Sequence, residues 1–192
     1  MKDEVVLDIE TQNTYQEVGS RDTKLLKVSL VGVYFYATDK YEAYLESELP
    51  KLWPLLERAS RTIGYNIDGF DWPVLNNYYP GDIAKLPTLD LMDVIYKRLG
   101  YRPKLDDVAQ ATLGIGKSGN GLQAVEYFRT GDIEKLKQYC LQDVKVTKDV
   151  YDFGIKEGKV FVADKVGKKN EVLVDFGVKD VPTSSVNLTM GF

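Results

Sequence analysis

The chain has no histidine and only one cysteine, Cys140, among its 192 residues. Without histidine, the sequence excludes Ser-His-Asp and Cys-His catalysis, imidazole general bases and histidine-bound metals. A single cysteine excludes an internal disulfide and any zinc site built from several cysteines. Catalytic chemistry in this chain must therefore rest on carboxylates, tyrosine, lysine or serine.

Long hydrophobic runs and an excess of positive charge are also missing. No apolar run reaches the ~18 residues that a membrane span needs, and the acidic start "MKDE" does not have the pattern of a signal peptide. We therefore expect no membrane association and a cytoplasmic location. The net charge of -4 argues against a protein that coats polyanions nonspecifically, although a local basic patch stays compatible with it.

The hydrophobic content of 44% is sufficient for a sizeable core, and the length favours a single domain. Alternating and periodic patterns predict strands first, then mixed elements, then helices, which is typical of an α/β or α+β protein. The tail "KVFVADKVGKKNEVLVDFG" predicts a β-hairpin around "GKKN". Predicted strands cover 4–10, 25–36, 40–47, 61–67 and 86–91, and predicted helices cover 49–60, 71–79, 93–101 and much of 105–154.

The first strand, "EVVLDIE", carries two carboxylates at its end, Asp8 and Glu10. Strand side chains alternate, so these two point to one face while Leu7 and Ile9 point to the other. A pair of buried like charges is costly unless a positive charge lies between them. A solvated strand end is the alternative interpretation.

Two further segments place acids at the edge of the predicted core. The last long helix has an apolar stripe that includes Asp143, and Tyr139 lies one turn before it. Asp71 follows Phe70 at a strand-to-helix junction, where open α/β sheets often keep their sites, although a helix N-cap is the alternative there. A pair of bound divalent ions is the simplest positive charge that would stabilise acids from three such segments close together. Oxygen ligands favour magnesium or manganese.

The three segments together resemble a known family. "DIE" with Asp8 and Glu10, "NIDGFD" with Asn66, Phe70 and Asp71, and "YCLQD" with Tyr139 and Asp143 are similar, in order and spacing, to the three motifs of the DEDD superfamily of 3′-to-5′ exonucleases. The resemblance implies a ribonuclease H-like α/β fold with a central mixed sheet flanked by helices. The resemblance spans roughly residues 5 to 153, so we expect 1–154 to form the exonuclease domain and 155–192, with the predicted hairpin, to form a C-terminal extension of the same domain.

The resemblance also implies roles for individual residues. Asp8, Glu10 and Asp143 would hold one metal ion, Asp8 and Asp71 would support a second, and Tyr139 of the tyrosine subclass would orient the attacking water. The remaining contacts with the terminal nucleotide would come from Thr11, Gln12, Asn66 and Phe70. The expected substrate is single-stranded nucleic acid with a free 3′ end, with DNA favoured over RNA.

Two alternatives stay open at this point: an exoribonuclease similar to RNase D, and a nucleic-acid-binding or helicase-partner module with weak or no catalysis. The motif "ATLGIGKS" is close to a phosphate-binding loop, but it follows a predicted helix instead of a strand, so an NTP site is not expected. Its Lys117 is instead a candidate contact to the nucleic-acid backbone, with a solvated loop lysine as the alternative.

Overall fold

The centre of the protein is a mixed sheet of five strands. The computed structural model describes residues 3–115, 121–163 and 167–177. The strand order is β3-β2-β1-β4-β5, in which β1, β2 and β3 form an antiparallel meander while β4 and β5 run parallel to β1. The α/β class and the three-strand meander that the sequence predicts are thereby confirmed. The strands are β1 (Glu4–Thr11), β2 (Val28–Phe35), β3 (Lys40–Leu45), β4 (Arg61–Gly64) and β5 (Thr88–Asp90).

Helices cover both faces of this sheet. One face packs against α2 (Leu49–Arg58) and α3 (Asp71–Leu75), and the other packs against the longest helix, α7 (Ile133–Glu157). The remaining helices are α1 (Tyr15–Val18), α4 (Leu91–Leu99), α5 (Leu105–Leu113) and α6 (Gly121–Arg129). None of the helices in the described ranges combines the length and the apolar character that crossing a bilayer requires.

Strand β1 lies in the middle of the sheet, and this explains why its sequence is apolar on both sides. Leu7 and Ile9 belong to the core under α2 and α3, whereas Val6 belongs to the core under α7. Asp8 and Glu10 continue the face of Val6, so the strand directs both carboxylates toward α7. A strand covered on both faces is expected to be hydrophobic almost throughout, and its two acids therefore stand out.

Some element boundaries differ from the predicted ones. Strand β4 ends at Gly64 instead of residue 67, because Asn66 has a φ of 65° and leaves the extended conformation. Helix α4 begins at Leu91, two residues earlier than predicted, because Asp90 caps it by accepting the backbone N–H of Met92.

The C-terminal hairpin is confirmed, with β6 (Lys159–Ala163) antiparallel to β7 (Lys169–Leu173). Lys169 and Asn170 pair with β6 as part of β7, so the predicted turn at "GKKN" is wrong by two residues. The connecting residues 164–166 lie outside the described part of the chain. Helix α7 reaches Glu157, three residues past the proposed division at 154.

A buried arginine joins this C-terminal segment to the sheet at the end opposite Asp8 and Glu10. Arg61 donates to the Glu4 carboxylate at 2.7 Å, to the Tyr151 hydroxyl at 2.7 Å and to the carbonyl oxygens of Phe176 (2.7 Å) and Gly177 (3.1 Å). Only 8% of Arg61 and 3% of Glu4 is exposed. These acceptors satisfy a charge that would otherwise be expensive to bury.

Candidate active site

Three separate elements bring the predicted acidic residues together. Strand β1 supplies Asp8 and Glu10, the start of α3 supplies Asp71, and α7 supplies Tyr139 and Asp143. Strand β4 pairs with β1 only as far as Val6, so the second half of β1 has no strand on that side. Burial raises the pKa of the Asp71 carboxyl well above its usual range, and the backbone N–H groups of Asp71 and Ile9 act against this increase. Asp71 is the first residue of α3, and the cap position belongs to Phe70.

Gly32 allows α7 to approach these carboxylates. It pairs with Asp8 across the β1–β2 ladder, and a Cβ atom built there would lie 2.8 Å from Cys140 Sγ and 3.0 Å from Val144 Cγ2. Any side chain at this position would push the helix outward. Cys140 is buried, as expected for a small core residue, and its Sγ lies 3.5 Å from the backbone oxygen of Asp8.

The assembled site forms one wall of a cleft of about 490 Å³. Asp8, Glu10, Tyr139 and Asp143 line it together with Thr11 and Phe70, so six of the predicted site residues share one surface. Asp71 lies directly below this surface, with only 4% of its area exposed. The other lining residues are Ile9, Asn13, Thr14, Tyr15, Leu26, Gly121, Leu122 and Val125.

The carboxylates in this cleft repel one another. Burial raises the pKa of Asp8 well above its usual range, and the charges of Asp71, Glu10 and Asp143 raise it further. Burial and the charges of Asp143 and Asp71 raise the pKa of Glu10 in the same way. Each acid is therefore harder to ionise than in water, which is the situation that a bound cation reverses.

The donor set suits a hard divalent cation. Oxygen atoms of Asp8 and Glu10 lie within 4.8 Å of each other and of Cys140 Sγ. Burial, followed by the charges of Asp8 and Glu10, raises the pKa of the Cys140 thiol well above its ordinary value. Because the thiol therefore stays protonated and only thiolates are good metal ligands, the available donors are carboxylate oxygens, which favour magnesium or manganese.

Tyr139 lies half-buried beside these acids. Burial and the charges of Asp143, Glu10 and Asp8 raise the pKa of its hydroxyl. The phenol therefore keeps its proton at neutral pH and is able to donate a hydrogen bond into the cleft.

Two predicted substrate contacts are used inside the fold instead of lining the cleft. The amide nitrogen of Gln12 donates to the Val28 carbonyl at 2.8 Å and to a Glu46 carboxylate oxygen at 2.7 Å, which fastens the end of β1 to the start of β2. Asn66 shapes the loop before α3, where its side-chain oxygen packs against Gly69. A third predicted contact, Lys117, lies outside the described residues.

Asp90 organises that loop, and the sequence analysis missed it. Its carboxylate accepts the backbone N–H groups of Asn66 at 2.9 Å and Asp68 at 3.3 Å, and it also caps α4 through Met92 and Asp93. It therefore fixes the loop that carries Phe70 and Asp71. The available signal was an aspartate at a strand end directly before an amphipathic helix, in "TLDLMDVI".

Apolar lining residues of the cleft were missed as well. Tyr15 contacts Phe70 edge to face, with ring centroids 6.4 Å apart, and Leu122 and Val125 contribute from α6. These residues surround the carboxylates with aromatic and aliphatic surface. Leu122 is 64% exposed at the edge of the cleft.

Comparison with known proteins agrees with this architecture. A solved structure with a similar fold is the family B DNA polymerase from the hyperthermophilic archaeon Pyrobaculum calidifontis, with a TM-score of 0.59 and 19% sequence identity. The similarity covers 79% of this chain and 24% of that polymerase, so the chain spans about a quarter of the polymerase's length. At this identity the likeness shows the fold alone. None of the curated proteins matches the sequence significantly.

A sequence model of the RNase H superfamily matches residues 5–154, which is more than half of the chain. The matched range includes β1, the start of α3 and the part of α7 that carries Tyr139 and Asp143. The ribonuclease H-like fold that the motifs predicted is thereby confirmed. The chain belongs to the RNase H superfamily.

Proposed function

We propose that this protein is a metal-dependent 3′-to-5′ exonuclease of the tyrosine-containing DEDD type. It hydrolyses phosphodiester bonds at the 3′ end of single-stranded nucleic acid, prefers DNA, and releases nucleoside monophosphates. Membership of the RNase H superfamily supports a nuclease in general. The direction of cleavage and the strand preference rest on the three motifs.

One observation carries the proposal: carboxylates from β1 and α7 line a single cleft beside Tyr139, and the charge of the buried Asp71 from α3 acts on the same group. Asp8 and Asp143 are separated by 135 positions, yet the charges of both raise the pKa of the Tyr139 hydroxyl. Burying several carboxylates next to one another is costly, and acids that serve only as hydrated surface groups would not require it. The repulsion is useful if the cleft binds divalent cations.

The acids differ in their proposed tasks. Asp8, Glu10 and Asp143 would hold one divalent ion, and Asp8 and the deeper Asp71 would support a second. Such ions, when bound, supply positive charge to the attacking and leaving oxygens of a phosphodiester. Asp71 contributes negative charge beside Asp8, because its charge raises the pKa of the Asp8 carboxyl.

The remaining residues position the substrate. Tyr139 donates a hydrogen bond that orients the attacking water. Phe70 and Tyr15 offer ring surface to the sugar or base of the terminal nucleotide. Thr11 already donates its hydroxyl to the Asn13 carbonyl at 2.9 Å, so it presents its backbone and methyl group to the 3′ end. A helicase or another processing enzyme is a proposed partner that supplies the single strand.

The experiment is degradation of 5′-labelled single-stranded DNA and RNA of the same sequence, with manganese, with magnesium and with chelator. Asp8→Asn and Asp143→Asn are the inactive variants, and Asp3→Asn makes the same change at an exposed carboxylate. We expect a metal-dependent ladder that shortens from the 3′ end, with DNA degraded faster. Tyr139→Phe should lower kcat without changing the affinity for manganese.

Each other outcome contradicts part of the proposal. Faster degradation of RNA would favour the exoribonuclease alternative. Internal cuts in place of a ladder would refute exonuclease action. Intact strands under every condition, together with binding of the strand, would favour a nucleic-acid-binding or helicase-partner module.

A further inference from the structure

An ion pair closes one end of the cleft rim. Helix α6 faces the cleft with Gly121 and Val125, which are four residues apart, and Arg129 lies a further four residues along the same face. Arg129 therefore extends the cleft-lining stripe of α6 by one turn, a rise of about 6 Å along the helix axis. This places its guanidinium at the rim instead of among the carboxylates.

Across the rim, Arg129 donates to the carboxylate of Glu17 in α1. The second oxygen of this carboxylate accepts the backbone N–H of Thr14 at 2.8 Å and the Thr14 hydroxyl at 3.1 Å. Thr14 itself lines the cleft. The Glu17 side chain thus connects Thr14, a residue of the cleft wall, to Arg129.

The pair is accessible to a competitor. The side chain of Arg129 is 45% exposed and that of Glu17 is 42% exposed. Glu17 keeps its capping contacts to Thr14 without the arginine, so opening the pair leaves α1 intact. An exposed pair of this kind contributes little to stability, and its charges are free to exchange partners.

The chemistry of the guanidinium indicates the competitor. Its planar fork binds carboxylate and phosphate with the same geometry, and phosphate is the anion that a nucleic-acid strand presents repeatedly. Three carboxylates, Asp8, Glu10 and Asp143, line the cleft and the chain is acidic overall, so a cation at the entrance would favour the approach of a polyanion.

We propose that Arg129 binds a backbone phosphate of the substrate strand at the cleft rim, and that Glu17 is a built-in competitor which this phosphate displaces. The inference rests on the proposed function for its substrate class. It concerns strand binding, which is measured separately from cleavage. Arg129 holds the strand behind its terminal nucleotide, and Glu17 weakens that hold so that shortened strands are released.

The test is binding of fluorescein-labelled dT12 in calcium, titrated at several salt concentrations. Variants are Arg129→Gln, Glu17→Gln and the double variant. Arg58→Gln and Glu57→Gln are the matched controls, because they make the same charge changes at exposed positions of α2, on the opposite face of the sheet. Thermal unfolding midpoints verify that each variant folds.

We expect Arg129→Gln to weaken binding several-fold and to reduce the slope of log K against log salt by about 0.7, the value for one phosphate contact on a single strand. Glu17→Gln should strengthen binding several-fold, and the gain should exceed that of Glu57→Gln. This excess gain should vanish in the double variant. In cleavage assays Arg129→Gln should raise KM and leave kcat unchanged.

Equal effects of Arg129→Gln and Arg58→Gln would overturn the inference, as would a wild-type protein that fails to bind dT12. The failure of the proposed function looks different. Arg129-dependent binding without metal-dependent cleavage would refute the exonuclease and keep the phosphate contact, whereas cleavage that is indifferent to Arg129 would do the reverse.

Discussion

Removing one carboxylate from the cleft should make the metal-free protein more stable. In Asp8→Asn the shape of the side chain is kept and one negative charge is lost. The oxygens of Asp8 and Glu10 lie within 4.8 Å of each other. At that separation two unit charges repel by about 3 kcal/mol in a medium of dielectric constant 20 and by about 1 kcal/mol in bulk water. Asp71 and Asp143 act in the same direction on Asp8.

This gain is large enough to measure. For a chain of 192 residues, each kcal/mol shifts the unfolding midpoint by roughly 2 to 4 °C, so Asp8→Asn should unfold roughly 2 to 12 °C above wild type. The assay is calorimetry at pH 8 in chelator, where the carboxylates are most ionised. Manganese at 1,000 times its Kd should reverse the order, because it stabilises the wild-type native state by about 4.1 kcal/mol and the variant has lost a donor.

Asp3→Asn is the control, since it changes an exposed carboxylate and should stay within about 0.5 kcal/mol of wild type. If Asp8→Asn is less stable than wild type in chelator, the Asp8 charge is stabilising in the empty cleft and the reasoning from repulsion is refuted. If manganese stabilises both proteins equally, Asp8 does not contribute to metal binding.

Three further predictions concern pH, the loop before α3 and the packing of α7. Burial raises the pKa of Asp8 and Glu10, so the native state binds more protons than the unfolded state above about pH 4. The metal-free wild type should therefore lose stability as the pH rises from 5 to 8, relative to the Asp8→Asn/Glu10→Gln variant. Urea titrations at each pH measure this difference. Asp90→Asn should weaken manganese binding in calorimetric titration, because the Asp90 carboxylate oxygens hold the loop that carries the proposed ligand Asp71. Unchanged manganese affinity would leave Asp90 with a helix-capping role only. Gly32→Ala should cost about 1 to 3 kcal/mol by overpacking against Cys140, and the added change Cys140→Ala should restore part of that loss in chemical denaturation.

The parts of the site that local patterns encode were predictable. Alternation along β1 placed Asp8 and Glu10 on one face, and the spacing of four residues placed Tyr139 near Asp143 on α7. Family resemblance then linked these pieces, and the cleft brings them together. On the predicted stripe of α7, Leu136, Cys140, Thr147 and Val150 are buried, because apolar periodicity reports which face of a helix meets a core, whereas Asp143 is only partly buried.

The parts that depend on partners distant in sequence were not predictable. The Gln12 amide bonds to Val28 and Glu46, which are 16 and 34 positions away, and no local pattern indicates either partner. Asp90 accepts from a loop 22 to 24 residues away. A local pattern contains no information about such pairs, because each depends on how the chain closes over longer distances.

The four acceptors around Arg61 have a consequence for how the protein unfolds. Arg61 and Phe176 are 115 positions apart, so the first strand, the second half of the sheet and the C-terminal segment share one buried charge. If the hairpin opened alone, the guanidinium would lose two carbonyl partners, and each unsatisfied buried group costs about 1 to 3 kcal/mol. Partial opening is therefore disfavoured, and we expect amide protons of β6 and β1 to exchange in a single cooperative event, with the hairpin protected as strongly as the centre of the sheet.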